Sequence, residues 1–268
     1  MTTSIVVDNV SKTFRYQYNR TLKQVLRPDR RKRDAADDRP APDATFKALD
    51  GVSFEVKQGE SIGLMGLNGS GKSTLLKLVS GVMLPDEGKV LTRGRISGLI
   101  ATGAGFHNEL TGRDNIYMNA AMLGMTKDEI DSKFDDIAGF ADVGRQLDMP
   151  VGNYSSGQFA RLGFAVAVHV DCDIFIADEV LAVGDRPFKR KCLKRMKQIR
   201  ESGITMFYVS HSAGSVKKMC DRAIVLDKGR VGFDGDVDEA IRFLHYDGDE
   251  EGDDDDVDAR DEALASDI

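Results

Sequence analysis

Residues 66–73 read Gly-Leu-Asn-Gly-Ser-Gly-Lys-Ser, and no other stretch of the chain restricts its fold so tightly. Glycines at 66, 69 and 71 open backbone conformations closed to other residues. The run follows a short apolar segment, Ser61-Ile-Gly-Leu-Met65, that reads as a buried strand, and it opens a helical pattern through Val79. Strand, glycine-rich turn and helix in that order are the context that G-x-x-x-x-G-K-[ST] requires. Backbone N–H groups in such a turn point inward as an anion nest, and the helix adds its positive end. The run is therefore a phosphate-binding loop. Gly66, Asn68, Gly69, Ser70, Gly71, Lys72, Ser73 and Thr74 are its candidate ATP-binding residues. Lys72 is expected to reach the β and γ phosphates and Ser73 to ligate Mg²⁺. The motif alone defines a P-loop NTPase and nothing narrower.

The order of elements supports that class. Strands are expected at 4–9, 52–56, 61–65, near Val90, at 96–100, 174–177, 205–209 and 224–226. Helices are expected at 72–79, over most of 113–145, at 158–168, 188–200 and 237–246, with Met118, Ala121 and Met122 on one face and Ile130, Phe134 and Ile137 on another. Alternating strands and helices imply an α/β fold with a mainly parallel sheet covered by helices. Residues 16–45 interrupt the pattern with Arg20, Lys23, Arg27, Arg30, Arg31, Lys32 and Arg33. Leu22, Val25 and Leu26 could form one face of a short basic amphipathic helix there, followed by a flexible linker. The segment reads as a basic insertion into the first sheet, or as a basic loop without a role.

Ile174-Phe-Ile-Ala-Asp178-Glu179 is an apolar strand ending in two acids. A buried strand presents acids only at its end, where ligands sit in open α/β sheets. Asp178 is the candidate Mg²⁺ ligand, and Glu179 the general base or orienter of the attacking water. A solvated pair at a strand end is the plainer alternative.

Tyr154-Ser155-Ser156-Gly157-Gln158, ahead of a helix, resembles the L-S-G-G-Q signature of ABC ATPases, with Tyr154 for Leu and Ser156 for the first Gly. The alternative is a helix cap by Ser155. Leu181-Ala-Val-Gly-Asp185 resembles the D-loop, and His211 in Val-Ser-His-Ser the switch histidine. Phe14 stands where that family places an aromatic against adenine, with core packing as the alternative. No Gln occurs where the family usually has one. Thr102 would stand in through its hydroxyl, or the sensing route is altered. The run Gly103-Ala-Gly-Phe-His-x-Glu-Leu-Thr-Gly-Arg-x-Asn-Ile116, together with Tyr-Ser-Ser-Gly, Ala-Asp-Glu-Val-Leu-Ala-Val-Gly-Asp and the early basic insertion, is similar to the ATPase subunits that export O-antigens, galactans and teichoic acids. The resemblance covers residues 4–245. It implies an ABC-type P-loop fold with an antiparallel β part and a helical subdomain at about 103–160, all within a domain spanning 1–246. It further implies ATP and Mg²⁺ as cofactors and Lys72, Glu179 and His211 as catalytic residues. Ser155, Ser156, Gly157 and Gln158 would face the ATP of an opposite subunit. The implied partners are a second copy joined through ATP, a separate multi-span membrane subunit in a 2+2 assembly, and a lipid-linked polysaccharide.

Composition limits the alternatives. No run reaches the roughly 18 apolar residues of a membrane span, and no secretory signal is visible, so a place on the cytoplasmic face of the membrane is expected. Cys172, Cys192 and Cys220 are odd in number and widely spaced, which reads as free thiols rather than a disulfide or zinc site. His107, His169 and His245 carry no motif. Of the net charge of −7, the stretch Asp247–Ile268 holds −11, from twelve acids and one Arg, and leaves +4 for residues 1–246. That acidic tail is expected to be disordered. Two other readings stay open at this stage. An importer or drug exporter subunit would share the same ATP motifs. A non-transport ABC ATPase acting on DNA or the ribosome would need a long coiled coil, a second ATPase unit or interleaved aromatics. The interval from Lys72 to Ser155 shows no sustained heptads, so no nucleic-acid partner is expected.

Overall fold

A computed structural model describes residues 2–15, 44–99, 105–178, 185–210 and 212–244. Its centre is β3 (Ser61–Met65), buried at all five positions. β3 lies between β7 (Thr205–Val209) and β8 (Arg222–Asp227), parallel to both, in a six-stranded sheet ordered β5-β6-β7-β3-β8-β9. β5 (Ile96–Gly98) and β6 (Ile174–Ala177) continue the parallel set, and β9 (Arg230–Asp236) closes one edge antiparallel. A second, antiparallel sheet is ordered β2-β1-β4, from β1 (Thr3–Arg15), β2 (Thr45–Lys57) and β4 (Glu87–Thr92).

The period of two along each strand sorts the core into two faces. Ile62, Leu64, Ile174, Ile176, Phe207, Val209, Ile224 and Leu226 join one cluster with α1 (Lys72–Val79) and the antiparallel sheet. The intervening Phe175, Ala177, Met206, Tyr208, Ala223 and Val225 join a second cluster. Over it lie α5 (Arg186–Glu201), α6 (Ala213–Met219) and α7 (Val237–Phe243). A third cluster holds the helical subdomain, α2 (Gly112–Met122), α3 (Lys127–Ala141) and α4 (Ser156–Ala167). α4 belongs to both neighbours. Its Leu162, Ala165 and Val166 face the subdomain, whereas Phe164 stacks on Phe140 at 5.9 Å and meets Phe188 edge-on at 6.1 Å in the sheet-facing cluster.

Several sequence expectations need correction. β1 runs on to Arg15 and β2 starts at Thr45, so the interruption is shorter than 16–45 at its far end. The stretch 113–145 is two helices, split at Gly124, whose φ of +86° suits glycine. The Met118–Ala121–Met122 face of α2 is not the inner one: Met122 is 66% exposed, and Asn115, Ile116, Asn119 and Ala120 are buried instead. A buried Asn is affordable because its side chain is satisfied. Asn115 Nδ2 donates to the carbonyls of His107, Leu110 and Thr111, and the His107 N–H donates to its Oδ1 at 2.7 Å. α6 and β9 were not anticipated, being seven residues each, with lysines and glycine in the first and two glycines in the second. Positions 100–104 and 179–184, His211, His245, nearly all of the basic insertion and the acidic tail lie outside the described residues.

The three cysteines are free. Burial pushes the Cys172 thiol up to about 11 and those of Cys192 and Cys220 up to about 12. At pH 8 the native protein should therefore resist alkylation by iodoacetamide, and the denatured protein should react at all three thiols; fast native labelling would contradict the packing. Phe164→Ala should cost about 3–5 kcal/mol in urea unfolding, because it empties the contact between the subdomain and the sheet.

Candidate functional site

β3, β7 and β6 end together at one edge. Leu64 pairs with Val209, and Ala177 pairs with Tyr208, one position earlier on the same strand. The phosphate-binding loop follows β3, and half-buried Asp178 follows β6 directly. Glu179 and His211 lie outside the described residues.

The loop is built from strained-for-others backbone. Gly66, Gly69 and Gly71 have φ of +141°, +80° and +108°. A Cβ on Gly66 would lie 2.3 Å from the Leu226 carbonyl oxygen, and one on Gly71 would lie 2.5 Å from that of Ala48. Gly69 has open space around it. Gly71 is the N-cap of α1 and supplies no side-chain cap, so the positive end of the helix opens directly on the loop. Lys72 is buried and folded over the loop, donating to the carbonyls of Gly66 at 2.7 Å and Leu67 at 3.0 Å. Ser73 is exposed and Thr74 half-buried, while the buried Ser70 hydroxyl lacks a hydrogen-bond partner. Such a loop can bind a polyanion through backbone N–H groups, one ammonium and a helix terminus.

Phe14 is half-buried and pairs across the strands with Phe46; their rings stack at 5.7 Å. Phe46 is 41% exposed and lies two residues before Ala48, whose carbonyl abuts Gly71. Both rings thus belong to the strands that abut the loop. Sequence reasoning missed Phe46 because no motif marks it.

Ser155 caps α4 in a reciprocal box: the Gln158 N–H donates to Ser155 Oγ at 3.2 Å, and the Ser155 N–H donates to Gln158 Oε1 at 3.0 Å. Gly157 has a negative φ, and among the described residues no heavy atom is nearer to a built Cβ than Ser155 Oγ at 3.9 Å, so packing against the described residues does not require glycine there. Four residues on, Arg161 pairs with Asp185 at 2.8 Å and lies 4.9 Å over the Phe188 ring. Asp185 in turn caps α5. Arg161 was missed by sequence reasoning, and it joins the signature helix to the end of the D-loop.

The run 105–116 packs against the signature. Phe106 meets Phe159 edge-on at 5.0 Å, and the Val151 and Gly152 N–H groups donate to the carbonyls of Leu110 and Asn108. The Tyr154 hydroxyl donates to the Gln146 carbonyl at 2.6 Å, and burial raises its pKa above the ordinary phenol range. A Cβ on Gly112 would lie 2.2 Å from that hydroxyl. The Tyr in place of Leu and the Gly at 112 therefore depend on each other.

Fold and loop together define a P-loop nucleotide-binding protein. Comparison with known proteins narrows this. The ABC transporter family matches residues 49–182. The chain is 48% identical over 209 residues to the ABC transporter protein AbcA of Aeromonas salmonicida, covering 76% of this chain and 68% of that protein. It is 42% identical over 236 residues to the O-antigen export system ATP-binding protein RfbB of Myxococcus xanthus, covering 85% and 52%. It is 46% identical over 200 residues to the teichoic acids export ATP-binding protein TagH of Bacillus anthracis, covering 75% and 36%. The chain thus spans about half the length of the Myxococcus protein and about a third of the Bacillus one. Among solved structures, the dimeric post-hydrolysis ATP-binding cassette MJ0796 bound to ADP and Pi matches with TM-score 0.65 at 22% identity, over 87% of this chain and 98% of that one. The chain belongs to the ABC transporter family and is one of its ATPases.

The Gly112–Tyr154 contact predicts a specific coupling. Gly112→Ala should destabilise the protein by about 1–3 kcal/mol. Tyr154→Leu should recover part of that loss, with a coupling energy of about 1 kcal/mol in a double-mutant cycle. Strictly additive effects would contradict the contact.

Proposed function

We propose that the chain hydrolyses ATP to drive export of a lipid-linked polysaccharide across the cytoplasmic membrane, through a separate multi-span membrane subunit. The carrying observation is the likeness, at 42% and 46% identity, to proteins named for O-antigen and for teichoic acid export. The tie between the 105–116 run and the signature supports it, since these are the two segments that set the exporters' pattern apart. No helix among the described residues is long and apolar enough to cross a membrane, which fits a peripheral subunit on the cytoplasmic face.

In this reading two copies enclose ATP between the phosphate loop of one and Ser155, Ser156, Gly157 and Gln158 of the other. Phe14, with Phe46 behind it, stacks on adenine. Lys72 exchanges the carbonyls of Gly66 and Leu67 for the β and γ phosphates, and the N–H groups at the start of α1 hold the same oxygens. Ser73 and Asp178 offer two oxygen donors, the ligand type Mg²⁺ takes when phosphates and water complete its shell. Bound there, Mg²⁺ neutralises phosphate charge. Glu179 orients or deprotonates the attacking water, and His211 contacts the γ phosphate. Gly157, which no contact among the described residues requires, leaves room for the phosphate of the opposite site. Asp185, held by Arg161, links that signature to the D-loop. The basic insertion lies near the membrane and uses its cations to guide or bind an anionic lipid-linked glycan or headgroups.

Glu179→Gln should abolish turnover but retain ATP, and its mass in solution should double when ATP is added; a chain that stays monomeric with ATP would refute the sandwich. Removing Arg20–Asp38 should leave basal ATPase activity largely intact while export to the cell surface falls. Unchanged export would remove the insertion's role.

A further inference from the structure

α5 carries eight cations among its sixteen residues and one acid, Glu201, at its last position. Three of the cations have structural work on the helix's flanks. Lys191 donates to the Gly139 and Phe140 carbonyls near the end of α3, Arg195 to the Val168 carbonyl at the end of α4, and Arg200 to the Lys218 carbonyl and Asp221. Cations there satisfy carbonyls that helix ends leave open.

Arg186, Lys194 and Lys197 do not follow that logic. Phe188, Cys192, Met196 and Ile199 form the buried face. Opposite them, at spacings of four, four and three, Arg186, Arg190, Lys194 and Lys197 form one exposed stripe. Arg186, Lys194 and Lys197 have no ion-pair partner among the described residues. Like charges at this spacing destabilise a helix. Arg186 also stands at the helix's first position, where the dipole is positive and where no acid occurs in the first turn. The stripe is thus a surface whose own electrostatics call for an anion.

We propose that the chain's own acidic C-terminal segment, Asp247–Ile268, docks on this stripe of α5. Twelve carboxylates against one Arg give it the opposite charge. The described chain ends at Leu244, next to α7, and α7 packs in the same hydrophobic cluster as α5, on the same face of the sheet. The 24 residues beyond Leu244 can extend to about 75 Å, whereas α5 is only about 24 Å long. Tethering keeps the local concentration of the acidic segment high, so weak ion pairs suffice for occupancy. The docked segment neutralises the α5 cations and screens them from other polyanions. This inference does not depend on the transported cargo.

Zero-length carbodiimide coupling of the full-length chain, followed by peptide mass spectrometry, tests it. Lys194 and Lys197 should couple to acids of 247–262 several-fold more than the exposed Lys57, Lys77 and Lys228 do. The excess should vanish at about 1 M salt, where the Debye length is about 3 Å. In Arg186→Glu/Lys197→Glu, with Lys194 left as reporter, the coupling should fall several-fold while the unfolding midpoint stays near that of the parent. Coupling chiefly to Lys23 and Lys32 would place the segment on the basic insertion and overturn the proposal, as would equal coupling to all exposed lysines. Mixing isotope-labelled and unlabelled chains completes the test. Single-label products support docking within one chain, and mixed-label products in equal yield overturn it.

Discussion

The carbonyl of Ala48 is the contact on which the nucleotide site depends. It approaches so closely that a Cβ on Gly71 would lie 2.5 Å away and one on Gly229 2.8 Å away. Around it three segments are tied by backbone hydrogen bonds: the Asp50 N–H donates to the Gly229 carbonyl at 2.8 Å, and the Gly229 N–H donates to the Ser70 carbonyl at 3.0 Å. The antiparallel sheet, the β8–β9 turn and the phosphate loop thereby meet at one point. Glycine at 71 does two things there. It adopts a left-handed φ, and it clears the space for β2, which carries Phe46 against Phe14 of β1.

A second dependence runs through α4. One side of this helix completes the subdomain core, and Phe164 on the other reaches the cluster beneath α5. Its N-terminus is the signature, and its Arg161 holds Asp185. Through α4 the signature, the 105–116 run and Asp185 are therefore tied to one another.

Much of this was legible in the residues. The phosphate loop was, because its glycines serve backbone geometry that only one arrangement needs. The strands at 61–65, 174–177 and 205–209 were, because buried parallel strands are continuous apolar runs. The inner face of α2 was misread because periodicity scores Asn115 as polar, and only the three carbonyls it serves explain its burial. Phe46 and Arg161 were invisible for a different reason: each gains its meaning from a neighbour distant in sequence, Phe14 in one case and Asp185 in the other. The departure of Tyr154 from the usual signature was legible, but its contact with Gly112 was not, because only the fold brings the two together.

The central claim is that this ATPase works with a membrane subunit on a lipid-linked glycan. Its most direct test is to tag the Glu179→Gln chain, hold it closed with Mg·ATP, purify it from its native membranes, and identify by mass spectrometry what accompanies it. The account predicts a multi-span membrane protein together with a polyprenyl-phosphate-linked glycan. A solute-binding protein with a permease, or ribosomes or DNA without any membrane protein, would leave the ATP chemistry in place and contradict the assigned cargo.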